Sequence, residues 1–175
     1  MHIFIRSVFL AGAIALSGCA IAPSIEKETP FEIASRSRIG HDDFRKVTTV
    51  DGQALLFGDF GQNRYWLAAR KLDADTNALY EVLFKTVRGS DDGWAFWSEA
   101  FDDNGHQLPV QKLGSEVGDS GMTYELIAVQ LTRDYINEHR VGIKMRVDGQ
   151  RAQQIVVFPS NYIEGFLLKV NSAGL

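Results

Sequence analysis

The chain has 175 residues, a formal net charge of −4, and 45% hydrophobic and 23% charged residues, the proportions of a globular protein. That length fits one domain, able to bury about 70% of the surface its unfolded chain exposes. A mildly acidic sequence without a Lys/Arg cluster argues against a nucleic-acid partner, because neutralising phosphates takes a basic face. A single cysteine, Cys19, leaves no partner for an internal disulfide, so the core must hold by packing alone.

The first 18 residues read MHIFIRSVFLAGAIALSG. Arg6 and the terminal amine favour the cytoplasmic side, and Val8 to Leu16 adds nine uncharged residues. A permanent helix across a hydrocarbon core of roughly 30 Å takes about 20 residues. The run fits the apolar region of an export signal instead.

It ends in Leu16-Ser17-Gly18-Cys19. This tetrapeptide resembles the lipobox of bacterial lipoproteins: a branched apolar residue, two small residues that let the backbone lie extended in a peptidase groove, and the acylated cysteine. The resemblance implies cleavage between Gly18 and Cys19, a thioether-linked diacylglycerol on Cys19 and an amide-linked acyl chain on the new amine. Three chains, at about 0.8 kcal/mol per buried methylene, anchor far more firmly than one. Ala20 stands where an inner-membrane lipoprotein of the enterobacterial type carries Asp, so the same resemblance implies the periplasmic face of the outer membrane, with the inner membrane as the alternative. The leader holds one base and no acid, so its loss takes the net charge from −4 to −5.

Residues 20–30, AIAPSIEKETP, carry two of the four prolines and no apolar period, and read as a tether. From Phe31 to the end the chain reads as one β-rich domain, punctuated by turn signals at short intervals. Lys46–Val50 and Ala54–Phe57 predict a hairpin turning at Asp51-Gly52. Arg64–Leu72 and Ala78–Val87 predict two long strands joined by Asp73-Ala74-Asp75-Thr76-Asn77. Trp94–Phe101 follows, closed by Asp102-Asp103-Asn104-Gly105, and then Leu108–Lys112 and Met122–Gln130. Thr132 caps a predicted short helix over 133–139. Val141–Val147 and Gln153–Phe158 form a further hairpin at Asp148-Gly149. A C-terminal helix over 160–170 presents Tyr162, Ile163, Phe166, Leu167 and Val170 on one face. The sum predicts a mainly β antiparallel sandwich, with a curled barrel as second choice.

Several motifs invite a chemical reading. Gly118-Asp119-Ser120-Gly121 resembles the surroundings of the nucleophile in chymotrypsin-like proteases, but Met122 replaces the next glycine and neither His41 nor His106 has that family's context. Asp73-x-Asp75-x-Asn77 has the spacing that opens an EF-hand loop, yet Ala78 and Phe84 stand where the loop needs Gly and Glu. Gly58-Asp59-Phe60-Gly61 echoes a kinase tripeptide without the other kinase signatures. His41, His106 and His139 have no metal-ligand spacing, and no cofactor is expected.

The aromatic set Tyr65, Trp66, Trp94, Phe96, Trp97 and Phe101 remains. Trp66, Trp94 and Trp97 are the candidate ligand-binding residues, since an exposed indole stacks on a sugar ring. Strand alternation places Trp94 and Phe96 on one face and Trp97 and Phe101 on the other, which equally describes a central strand in the core. The sequence therefore predicts a membrane-anchored, non-enzymatic envelope lipoprotein whose periplasmic β domain serves binding or structural support, with an envelope protein or a glycan as partner. A glycan-binding module is the alternative, and a hydrolase comes third.

Overall fold

The computed structural model describes residues 25–58, 62–118 and 121–175. The lipobox with Gly18 and Cys19, Asp59-Phe60-Gly61 of the motif that begins at Gly58, and Asp119 and Ser120 lie outside the described residues. Of the described residues, 50% are strand and 20% helix, arranged as two antiparallel sheets with a short helix and a C-terminal helix, and they form no closed barrel. The mainly β, sandwich-like expectation therefore holds.

The chain enters through a single 3-10 turn, Ile25–Lys27, and a short helix α1, Pro30–Arg36. Thr29 caps α1 through a capping box with Glu32, and Pro30 occupies the first turn where its missing N–H costs nothing. This part of the predicted tether is instead folded onto the domain. The Asn161 side-chain amide donates to the Ile25 and Glu28 carbonyls at 2.7 Å each. Gly165 lets α1 approach so closely that a Cβ there would meet the Pro30 carbonyl oxygen at 2.6 Å. Composition could not show this, because the contacts lie about 135 residues away in sequence.

The larger sheet runs β1 (Arg38–Asp42), β2 (Val47–Asp51), β4 (Asn63–Leu72), β5 (Leu79–Arg88), β9 (Thr123–Leu131) and β8 (Val110–Val117), with β3 (Leu55–Phe57) also paired to β4. The smaller runs β11 (Gln153–Pro159), β10 (Gly142–Gly149), β6 (Trp97–Asp102) and β7 (Gln107–Leu108). Leu67, Ala69, Tyr80, Val82, Phe84, Ile127 and Val129 alternate along the inner face of the larger sheet and are buried. Phe84 meets Trp97 edge-on with centroids 5.0 Å apart, and Tyr65 meets Phe158 at 5.2 Å, so aromatic contacts join the two sheets.

Helix α2 (Arg133–Glu138) starts at Thr132 as predicted, the hydroxyl accepting from the Tyr135 N–H at 3.0 Å. Helix α3 (Ser160–Ser172) buries Tyr162, Ile163, Phe166, Leu167 and Val170, the face its periodicity marked.

Asp148-Gly149 ends β10 rather than forming its hairpin turn, which falls at Gln150-Arg151 because Asp148 still pairs with Gln153 and the Gly149 N–H donates to the Ala152 carbonyl. Three further strand expectations need correction. Asp51-Gly52 is no hairpin turn. β2 pairs with β4 through Asp51 opposite Ala68, and β3 resumes along the same strand with Leu55 opposite Tyr65, so residues 52–54 bulge against 66–67. Glycine serves close approach here: a Cβ on Gly52 would lie 2.6 Å from the Tyr162 hydroxyl. That hydroxyl donates to the Gln53 carbonyl at 2.7 Å and accepts from the Leu67 N–H at 3.3 Å. Secondly, the predicted strand 108–112 is two strands. The chain leaves the smaller sheet after Leu108 and joins the larger at Val110, with Pro109, which lacks an N–H to give either ladder, at the crossing. Thirdly, β6 begins at Trp97 rather than Trp94, because Phe96 sits in the left-handed region at φ 56°.

Tyr162→Phe keeps the packing but leaves the Gln53 carbonyl and the Leu67 N–H short of a partner. We expect a loss of about 1–3 kcal/mol of unfolding free energy, read from urea midpoints at unchanged slope.

Candidate functional site

The three candidate tryptophans occupy three different environments. Trp97 is only 7% exposed, its indole N–H donating to the Thr86 hydroxyl at 2.9 Å, and its ring closes the core against Phe84. It is a packing residue and presents no face to a ligand. The local cause is the kink at Phe96, held by buried Glu125, whose carboxylate accepts the Ala95 N–H at 2.7 Å and the Phe96 N–H at 3.0 Å. Two backbone donors compensate the buried charge. Trp94 therefore lies in a loop, half-buried, its ring 6.4 Å from that of Phe96, which is 39% exposed with the Arg151 guanidinium 5.8 Å from its centroid.

Trp66 lies on the outer face of β4, half-buried. Its indole N–H donates to Asp51 Oδ1 at 3.1 Å, and the Arg64 guanidinium sits 5.8 Å from its ring centroid. Beside it, at the bulge between β2 and β3, an open groove of about 360 Å³ is lined by Arg36, Arg38, Asp51, Gln53, Arg64 and Trp66. Arg36 is paired with Glu28, whose side chain is 5% exposed. Arg64 and Trp66 share a face by simple strand alternation, and that part of the site is legible in the sequence. Arg36 and Arg38 were missed, because they come from α1 and β1, which no periodic signal announced.

The histidines do not converge. His41 on β1 contacts the Thr48 hydroxyl at 3.0 Å and the Asp43 carboxylate at 3.4 Å. His139 stacks on Tyr135 with centroids 4.0 Å apart. His106 meets Asp102 at 3.1 Å in the β6–β7 turn. Among the described residues no three His, Cys, Asp or Glu side chains gather as a metal would need, and no helix is long and apolar enough to cross a membrane. Asp73, Asp75 and Asn77 form the β4–β5 connection.

Asp102 organises its turn. Burial opposes its charge, but the His106 backbone N–H and ring and the Asn104 N–H outweigh it and hold its carboxyl below the usual range. Neighbouring Tyr135 is pushed up to about 12 by burial, then by the charges of Asp102 and Asp103.

No family model, curated protein or solved structure matches this chain.

A carboxyl with a depressed folded pKa contributes stability that is present above its unfolded pKa and lost as pH falls through the folded one. Asp102→Asn should lower the neutral-pH urea midpoint and flatten the acid side of the profile below about pH 4. An unchanged acid slope would show that Asp102 does not carry the linkage.

Proposed function

We propose that this chain is an envelope lipoprotein, held to the periplasmic face of the outer membrane by acyl chains on Cys19, whose β domain binds another envelope component and catalyses no reaction. The observation that carries this reading is Leu16-Ser17-Gly18-Cys19 at the end of an apolar run, containing the chain's one cysteine. The fold supports it. Residues from Ile25 onward are strapped to α3, so only residues 20–24 separate the acylated position from the folded domain. Fully extended, that stretch reaches about 20 Å, at roughly 3.5 Å per residue. A domain on so short a lead works at the membrane surface.

Cys19→Ser removes the thiol that takes the lipid. In cells supplied with labelled palmitate, the parent chain should carry the label, run as the cleaved form and sediment with membranes. The variant should carry none and stay uncleaved. A variant that is cleaved and sediments as before overturns the reading.

A glycan-binding role is the second reading, favoured by one observation: Trp94 and Phe96 form a tilted aromatic pair at the surface beside Arg151. Titration with peptidoglycan fragments and oligosaccharides should then shift the emission of Trp94, identified by its loss in Trp94→Phe. No shift with any of them removes this reading.

A further inference from the structure

We propose that the Trp66 groove is a binding site for the phosphate of an anionic phospholipid headgroup, in the bilayer that carries the anchor. The inference rests on the lipoprotein reading and adds a second, non-covalent contact with the same membrane.

Charge is the first argument. Arg36, Arg38 and Arg64 line one groove in a chain whose net charge is negative. Glu28 neutralises Arg36, and Asp51 is the one acid that lines the groove, its Oδ1 engaged by the Trp66 N–H. Among the described residues, Arg38 and Arg64 have no carboxylate within 4.0 Å. Register makes this costly. Arg64 stands directly opposite Lys85 on β5, and like charges at opposed strand positions repel. A bound phosphate offsets that repulsion, and planar guanidinium groups meet phosphate oxygens in pairs.

Place is the second argument. The described chain starts at Ile25, tied by Asn161 to Glu28, and Glu28 is the ion-pair partner of Arg36 at the groove. Ile25, the described residue nearest Cys19 in sequence, is therefore linked through Asn161 and Glu28 to Arg36 of the groove. A lead of about 20 Å at full stretch keeps this end of the domain near the headgroups.

Shape and chemistry agree. A volume of about 360 Å³ has room for a phosphate with its glycerol. Trp66 offers an apolar ring with one polar edge, the combination enriched at the membrane–water boundary. The site sits on a β-bulge, where a strand's departure from regular pairing re-aims side chains and opens the surface.

The test uses the acylated full chain in non-ionic detergent micelles, titrated with phosphatidylglycerol or with phosphatidylcholine. Trp66 emission is taken as the difference from Trp66→Phe. Phosphatidylglycerol should give a saturable change and phosphatidylcholine none. Arg38→Gln and Arg64→Gln should each raise the half-saturating amount about fivefold, the worth of one arginine at an anionic surface. Arg140→Gln, an exposed charge outside the groove, should leave it unchanged. Arg38 and Arg64 are both solvent-exposed, and matching urea midpoints check that their variants fold. Superimposable curves for the two lipids overturn the proposal, as does an equal loss in Arg140→Gln. Saturation by inorganic phosphate at lower concentration than by lipid overturns the bilayer as the source. Cys19→Ser in the same micelles should respond like the parent. A response to phosphatidylglycerol while the parent chain takes up no palmitate in cells sinks the anchor alone, and an acylated parent chain without a response sinks the groove alone.

Discussion

One buried hydroxyl sets the geometry on which the groove depends. Tyr162, on the first turn of α3, reaches the break between β2 and β3, donating to the Gln53 carbonyl and accepting from the Leu67 N–H. A strand interrupted in mid-sheet leaves backbone groups that water would otherwise have to satisfy, and an unpaired buried group is costly. The phenol satisfies one on each strand. Its complete burial makes loss of its proton unfavourable, which pushes its pKa far up and keeps it in the donating form. Gly52 makes room for it.

From that pin the surface chemistry follows. Because β3 resumes along β4 after a three-residue bulge, the outer face between Arg38 and Arg64 is not filled by a continuous strand. Trp66 fills part of the gap and is fixed by Asp51, while the guanidinium groups stand around it. Further along the same face, Arg70 pairs with Glu81, whose carboxylate is only 1% exposed between Ala68 and Gln130 on the neighbouring strands. The outer face is therefore not a uniformly solvated surface. It alternates neutralised charge with one region where positive charge exceeds negative.

The helices connect this surface to the start of the domain. α1 lies against α3 across Gly165, where backbone packs on backbone, and Asn161 clamps the 3-10 turn that precedes it. The same α3 residues thus hold the bulge through Tyr162 and the chain entry through Asn161. Chain entry, groove and core are arranged around one helix turn, so a change there moves all three together.

By itself the sequence determined what neighbouring residues decide. The face of α3, the Thr132 cap, and the hairpins at 73–77 and 102–105 all depend on spacing within a few positions. Arg64 and Trp66 on one face of a strand belong with them. Only the tertiary structure decided the rest. Asp51-Gly52 has the composition of a turn, but its glycine answers to a side chain 110 positions away. Trp97 carries the same indole as Trp66, yet a left-handed Phe96 and the Glu125 carboxylate turn it into the core. Residues 25–30 look like linker until Asn161 meets them. In each case the deciding partner is remote in the chain, and periodicity carries no information about a contact whose loop has yet to close.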